Sequence, residues 1–285
     1  VKLAVVGTGA MGLPIAARLV ALGHAVTARD IDPARAALAR EAGCTVAASP
    51  AQAADAADAV LVVVVDAAQV SAVLHADDGL LRAATAPRAV LLCPTISPAD
   101  VEAAAAALAA RGIEVLDAPM SGGPARAGDG TMSLMVGAPA AVFARWQPLL
   151  AQLASRLFHV GERPGDGART KLVNNLLAAV NLAGAAEALA LAGRLGLDAA
   201  TMLDVIEASS GQSWIGSDRL RRALAGDERV LARTALLAKD SALALQAAAA
   251  AGFEAPVGAA AAARFAAALA AGEGERDDSA LWRRV

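Results

Sequence analysis

Lys2-Leu3-Ala4-Val5-Val6-Gly7-Thr8-Gly9-Ala10-Met11-Gly12 is the stretch on which the reading of this chain turns. An apolar strand pattern meets the glycine pattern GxGxxG, and a helical pattern from Met11 to Leu22 follows. A glycine-rich turn by itself marks only a tight loop. Strand, glycines and helix in this order form the arrangement that receives a dinucleotide. Gly7 permits the tight turn, Gly9 lets the backbone approach a pyrophosphate, and Gly12 lets helix and strand pack closely. The helix start, at Ala10 and Met11, offers backbone N–H groups and a favourable dipole to the anion. A second strand pattern, Ala25 to Arg29, ends at Asp30, eighteen residues after Gly12. A carboxylate there hydrogen-bonds both ribose hydroxyls of an adenosine and repels a 2′-phosphate. Ile31 follows where an NADP enzyme often places an arginine, so NAD is the expected cofactor. Arg29, one position early, should point to the other side of the strand.

Further along, short β-type runs alternate with alanine-rich helical stretches. Ala59 to Val65, Ala89 to Cys93 and Glu114 to Asp117 read as buried strands, and Pro33 to Ala42 and Pro98 to Arg111 as helices. Such alternation implies a parallel sheet covered on both faces. Ser133 to Val136 and Leu157 to Val160 extend the sheet to about residue 160. After Gly161-Glu162-Arg163-Pro164-Gly165 the pattern is helix after helix, starting with a long one from about Gly165 to Leu195. The expected architecture is α/β: a doubly wound Rossmann domain over 1–162, then an all-helical domain over 163–285 for substrate and oligomer contacts.

Composition narrows the function. At 285 residues, with 57% hydrophobic and 19% charged, the chain has ample apolar surface for a core. A net charge of −3 with scattered basic residues argues against a nucleic-acid partner. Arg219, Arg221 and Arg222 are the exception, and read as a solvated helix face. Cys44 and Cys93 form neither a disulfide framework nor a zinc site, which fits a reduced cytoplasm. No leader pattern opens the sequence, and Glu254, Pro256 and Arg264 interrupt the alanine-rich stretch Leu245 to Ala271, so no membrane span is expected there.

Counting then removes several chemistries. The chain has no tyrosine for a tyrosine-based proton relay, and lacks the cysteines of a zinc alcohol dehydrogenase. Of its three histidines, His24 and His159 read as structural, while His75 could face a cleft. Lysine is the best remaining acid/base, and Lys171, in Lys171-Leu172-Val173-Asn174-Asn175, is the candidate. Asn175 is one turn on, so both side chains share a helix face. A free lysine, with a pKa of about 10.4, is a poor proton shuttle at neutral pH. Partial burial favours the neutral amine that acid/base work requires.

These residues make the chain resemble the β-hydroxyacid dehydrogenases, relatives of 3-hydroxyisobutyrate, tartronate semialdehyde and 6-phosphogluconate dehydrogenases, over essentially its whole length. Gly7 to Ala16 is similar to the family's N-terminal signature. Asp117-Ala118-Pro119-Met120-Ser121-Gly122-Gly123, with Gly128, Gly130-Thr131-Met132 and Val136-Gly137, resembles its substrate segment. Gly165, Gly167, Lys171, Asn174 and Asn175 resemble the catalytic segment. The resemblance implies substrate contacts from Ser121, Gly122, Gly123, Asn174 and Asp240. It implies cofactor contacts from Val65, Thr95 and Lys239 beside the glycine loop.

A finer likeness is to the L-threonate dehydrogenases. Asp66-Ala67-Ala68-Gln69-Val70, Ser209 to Trp214 and Asp277-Asp278-Ser279-Ala280 carry it. Trp214 would wall the pocket or belong to the core; Asp277, Asp278 and Ser279 would touch a polyhydroxylated substrate or form a solvated tail. The chain departs from that branch at Asn175, where glutamine is frequent, at Asp66, where asparagine is, and at Ala232, where an aromatic residue is. The implied activity is NAD-dependent oxidation of a 3-hydroxy acid, with L-threonate as the expected substrate and a homodimer or homotetramer as the assembly. A 3-hydroxyisobutyrate dehydrogenase, a tartronate or succinate semialdehyde reductase and a non-catalytic dinucleotide-binding module are the alternatives. Imine reductases share the fold but usually lack a lysine at the position of Lys171.

Overall fold

The computed structural model describes residues 1–284. The chain divides into two compact units, Val1–Lys171 and Leu172–Val285.

The first unit is built on strands buried on both faces. β1 (Lys2–Val6), β2 (Ala25–Arg29), β3 (Thr45–Val46), β4 (Ala59–Val62), β5 (Ala89–Leu92) and β6 (Glu114–Asp117) run parallel in the order β3-β2-β1-β4-β5-β6. Between them lie α1 (Gly12–Ala21), α2 (Pro33–Glu41), α3 (Pro50–Ala54), α4 (Ala67–His75) and α5 (Pro98–Ala109). Because strand side chains alternate, Leu3, Val5, Leu61 and Leu91 pack on one face with Ile15 and Leu19 of α1. Ala4, Val6, Val60 and Val90 pack on the other with Leu74 of α4 and Leu108 of α5. The α2, α3 and α5 helices start with proline behind a capping side chain; Ser97, for example, accepts from Asp100 N at 3.1 Å.

Past β6 the sheet stops being parallel. β7 (Met120–Ser121) and β8 (Met132–Gly137) are antiparallel, joined through α6 (Gly123–Asp129), and β8 is also antiparallel to β6. A link this short cannot make the crossover that parallel neighbours require. After α7 (Ala140–Leu153), β9 (Ala154–Gly161) pairs parallel with β8.

The second unit is helical. It comprises most of α8 (Asp166–Arg194), then α9 (Ala199–Glu207), α10 (Trp214–Leu224), α11 (Thr234–Ala250) and α12 (Pro256–Ala270), closed by a 3-10 segment at Asp278–Arg284. Ala179 and Leu182 pack with Leu237 of α11, Phe265 of α12 and Leu281. Among the described residues, α8 is the one helix long and apolar enough to cross a membrane by length and composition. Its stripe of Leu172, Ala179, Leu182, Ala186 and Leu189 is nevertheless buried in protein.

Two sequence expectations fail at the C-terminus, for one physical reason. Arg219 and Arg222 are not a solvated face, and Asp277, Asp278 and Ser279 are neither a solvated tail nor open to a ligand. Arg219 Nε donates to Asp278 at 2.6 Å, and Arg222 Nη2 to Asp277 at 2.7 Å. The second oxygen of Asp277 accepts from the backbone of Leu231 and Ala232. Only Arg221 stays on the surface, against Asp204 and Glu207. The ion pairs fasten the chain end to α10 and to the segment before α11. Removing one partner of a buried pair leaves the other charge without compensation. Asp278→Ala is therefore expected to cost about 3 kcal/mol of stability, read by urea unfolding.

Candidate active site

In a parallel sheet every strand delivers its following loop to the carboxyl edge, and a crevice opens where neighbouring connections diverge. Here that point lies between β1 and β4. The glycine loop leaves β1, Asp30 ends β2, Val65 follows β4, Thr95 follows β5, and Ser121 ends β7. The first unit thus collects on one edge most of the residues expected to hold a cofactor.

The glycines are required by space. A Cβ on Gly12 would stand 1.8 Å from the Gly7 carbonyl oxygen, and one on Gly7 would stand 2.3 Å from that of Val63. Gly7 also has φ of +94°, which side chains avoid. Gly9 differs: nothing lies within 4 Å of the Cβ it lacks, so its bare backbone faces open space. Asp30 braces the loop, accepting at Oδ2 from Thr8 N (2.6 Å) and Thr8 Oγ1 (3.2 Å), and at Oδ1 from Asp32 N (2.9 Å). Close-packed glycines on either side of an open backbone, with a carboxylate beside them, fit a dinucleotide's pyrophosphate and ribose.

Lys171 lies in the second turn of α8 and is only 7% exposed; Asn175, one turn on, is 8% exposed. The helix start is held by Asp117 at the end of β6, whose Oδ2 accepts from Gly165 N (2.8 Å) and Ala168 N (2.9 Å). Burial pushes this carboxyl up to about 6, against the N–H groups of Ala168, Gly165 and Gly167, which hold it down; nearby Asp166 adds to the rise. In the sequence Asp117 stands out only as the start of a motif. The one signal it offered was an acidic residue closing a buried strand.

The second unit ties its own expected site residues together. Asn175 Nδ2 donates to Asp240 Oδ2 at 2.6 Å, Lys239 Nζ donates to Asp240 Oδ1 at 2.6 Å, and exposed Asn174 donates to Asn175 Oδ1 at 3.0 Å. Asp240 thereby fixes the orientation of the Asn175 amide. Trp214 is 51% exposed, so it is not core, and the Arg219 guanidinium lies 5.9 Å from its ring centre.

The histidines divide as their positions dictate. His24 meets Gln152 Oε1 at 2.6 Å, and His159 meets the Ala138 carbonyl at 2.7 Å while stacking on Phe143. His75 ends α4, and a helix that follows a strand returns to the amino edge, so His75 is on the wrong side of the sheet to face the crevice.

A doubly wound sheet with this glycine loop, joined to a helix bearing a buried lysine, defines a nicotinamide-dependent oxidoreductase. The NAD binding domain of 6-phosphogluconate dehydrogenase matches residues 2–161. The NAD-binding domain of NADP-dependent 3-hydroxyisobutyrate dehydrogenase matches residues 165–285. The L-threonate dehydrogenase of Cupriavidus necator is 38% identical, over 84% of this chain and 80% of that protein. That of Escherichia coli K12 is 36% identical, over 97% and 92%. A solved 3-hydroxyisobutyrate dehydrogenase from Salmonella typhimurium superposes with a TM-score of 0.91 at 36% identity, covering 100% of this chain and 99% of that one. The chain belongs to the β-hydroxyacid dehydrogenase family, and is an NAD-dependent enzyme acting on a small hydroxy acid.

The two kinds of glycine separate in stability. Gly12→Ala must displace backbone and is expected to lower Tm by several degrees, whereas Gly9→Ala, facing open space, leaves Tm unchanged. Thermal unfolding followed by circular dichroism checks both.

Proposed function

We propose that the enzyme oxidises a C4 sugar acid, L-threonate in the first instance, with Lys171 accepting the hydroxyl proton. The observation that carries this reading is the buried Lys171–Asn175 pair on one face of α8, with the asparagine fixed by Asp240. Several relatives of 34–38% identity named L-threonate dehydrogenase support the substrate.

We assign the substrate carboxylate to Ser121, Gly122 and Gly123 in the first unit, and further substrate contacts to Asn174, Asp240 and Trp214 in the second. Gly122 and Gly123 both have positive φ, so the turn presents its backbone as few other residues allow. The substrate hydroxyl stands at Lys171 Nζ and the Asn175 amide. A neutral lysine takes the proton, and Asn175 holds the hydroxyl without adding charge. Gly7, Gly9, Ala10, Met11, Gly12, Asp30, Val65 and Thr95 of the first unit would hold the NAD, and Lys239 of the second is assigned to the same cofactor. When bound, NAD supplies the acceptor for the hydride that leaves the carbinol carbon. The protein's share is orientation and proton transfer.

Asp30 sets the preference for NAD over NADP. A carboxylate has about four acceptor directions, and three are taken by Thr8 and Asp32, leaving room for one ribose hydroxyl and not for the two expected from the sequence. Its negative charge excludes a 2′-phosphate, and Ile31, 86% exposed, offers no cation in compensation. Two buried thiols, Cys44 and Cys93, suit a reducing cytoplasm. Val173, Leu177 and Leu191 leave an apolar side of α8 exposed, which supports a homodimer or homotetramer.

A second reading, oxidation of 3-hydroxyisobutyrate, is favoured by the Salmonella structure and the helical-domain match. Initial rates of NAD and NADP reduction separate the readings. L-threonate is expected to turn over faster than D-erythronate, 3-hydroxyisobutyrate or glycerate, with NAD preferred. Turnover confined to 3-hydroxyisobutyrate or glycerate would overturn the sugar-acid assignment.

A further inference from the structure

We infer that Asp117 is the positioning residue for Lys171: its carboxylate clamps the first turn of α8 to the end of β6 and so sets where the lysine amine stands. This rests on the proposed role of Lys171 as proton acceptor.

An ordinary helix cap is the residue just before the helix, and it satisfies the first N–H groups without reference to anything else. At α8 a cap comes from a strand 48 residues earlier, at Gly165, and 51 earlier, at Ala168. Lys171 follows Ala168 by three residues, so the clamped turn leads directly into the one that carries it.

The seat allows no slack. A Cβ on Gly167 would stand 2.6 Å from the Asp117 carbonyl oxygen and 2.7 Å from that of Met135. One on Gly137 would stand 2.9 Å from Gly167 N, and one on Gly161 would collide with the Asp166 side chain. The helix start is thus lodged backbone against backbone on β6 and β8, and by the Asp166 side chain against β9.

A merely structural cap would be better neutral. Asp117 is 0% exposed, and its Oδ1 is buried with no hydrogen-bond partner. Burying a carboxylate with one oxygen unsatisfied is unfavourable. What the charge adds is a stronger hold on two N–H groups at the positive end of the longest helix.

The groups around it do not neutralise it. Asp166 on α8 repels it, and Cys93, just beyond β5, stays a thiol, because burial and Asp117 push it up to about 12. Arg169 is engaged with Glu102 of α5 at 2.6 Å and with Asp166 at 3.1 Å. The Asp117 carboxyl, raised from the usual carboxylate range to about 6, is ionised above that pH and loses its charge below it. The clamp is therefore strong at neutral pH and weakens in mild acid.

The test compares Asp117→Asn, which keeps the shape, with Asp117→Ala, and runs Lys171→Ala beside them. Steady-state rates, NAD binding and amide hydrogen exchange over residues 165–171 are measured in the full chain. Misplacing a catalytic group by about 1 Å can cost 10²-fold in rate. Asp117→Ala is expected to lower kcat by about 10- to 10²-fold, with NAD affinity unchanged and faster exchange in that segment. Asp117→Asn is expected to recover part of kcat and to lose the acid limb near pH 6 that is expected in the native kcat profile. Native kcat, exchange and pH profile in both variants, with Lys171→Ala inactive, would overturn the clamp alone. A fully active Lys171→Ala would remove the lysine reading and this one with it.

Discussion

Six strands running the same way force every strand-to-helix loop onto one edge of the sheet, and the chemistry of this protein is gathered by that constraint. β1 lies between β2 and β4, in register from Leu3 to Val6 on both sides. Its loop therefore emerges where the neighbouring connections part. The turn can be made only because Gly12 has no side chain to strike the Gly7 carbonyl. Asp30 arrives from β2 and holds the same loop through Thr8. Loop geometry thus rests on the same carboxylate that is proposed to set the cofactor preference.

Buried charge is used repeatedly to join segments distant in sequence. Asp117 joins β6 to α8, Asp240 joins α11 to Asn175, and Asp277 and Asp278 join the chain end to α10. A chain with 2% aromatic residues and a core rich in alanine has few bulky side chains to define a unique packing. Hydrogen-bonded carboxylates add direction that methyl groups cannot supply. The same residues that fix the fold thereby fix the neighbourhood of the lysine and asparagine proposed to handle the proton.

The long parallel strands were legible because residues buried on both faces make continuous apolar runs. Their ends were less so. Ala59 to Val65 reads as one run, but β4 ends at Val62, where its pairing with β5 ends at Leu92. β3 and β7 are two residues each, too short to show any period. The glycine loop, Asp30 and Lys171 each sit in a local pattern that the sequence displays. Arg219 and Arg222 of α10 and the acidic pair at residues 277 and 278 are not legible in the sequence, because the partners lie 59 and 55 residues apart. Asp117 is the same case: its meaning lies in a helix start that only the folded sheet brings to it.

Lys171 as proton acceptor is the central claim, and its most direct test is chemical rescue of Lys171→Ala by added primary amines. Removing acid/base help should lower kcat by about 10²–10⁴-fold, with NAD still bound. Small alkylamines should then restore part of the rate, in proportion to their concentration as free base. Native turnover without any amine, or a loss of turnover caused by failure to bind NAD, would contradict the account.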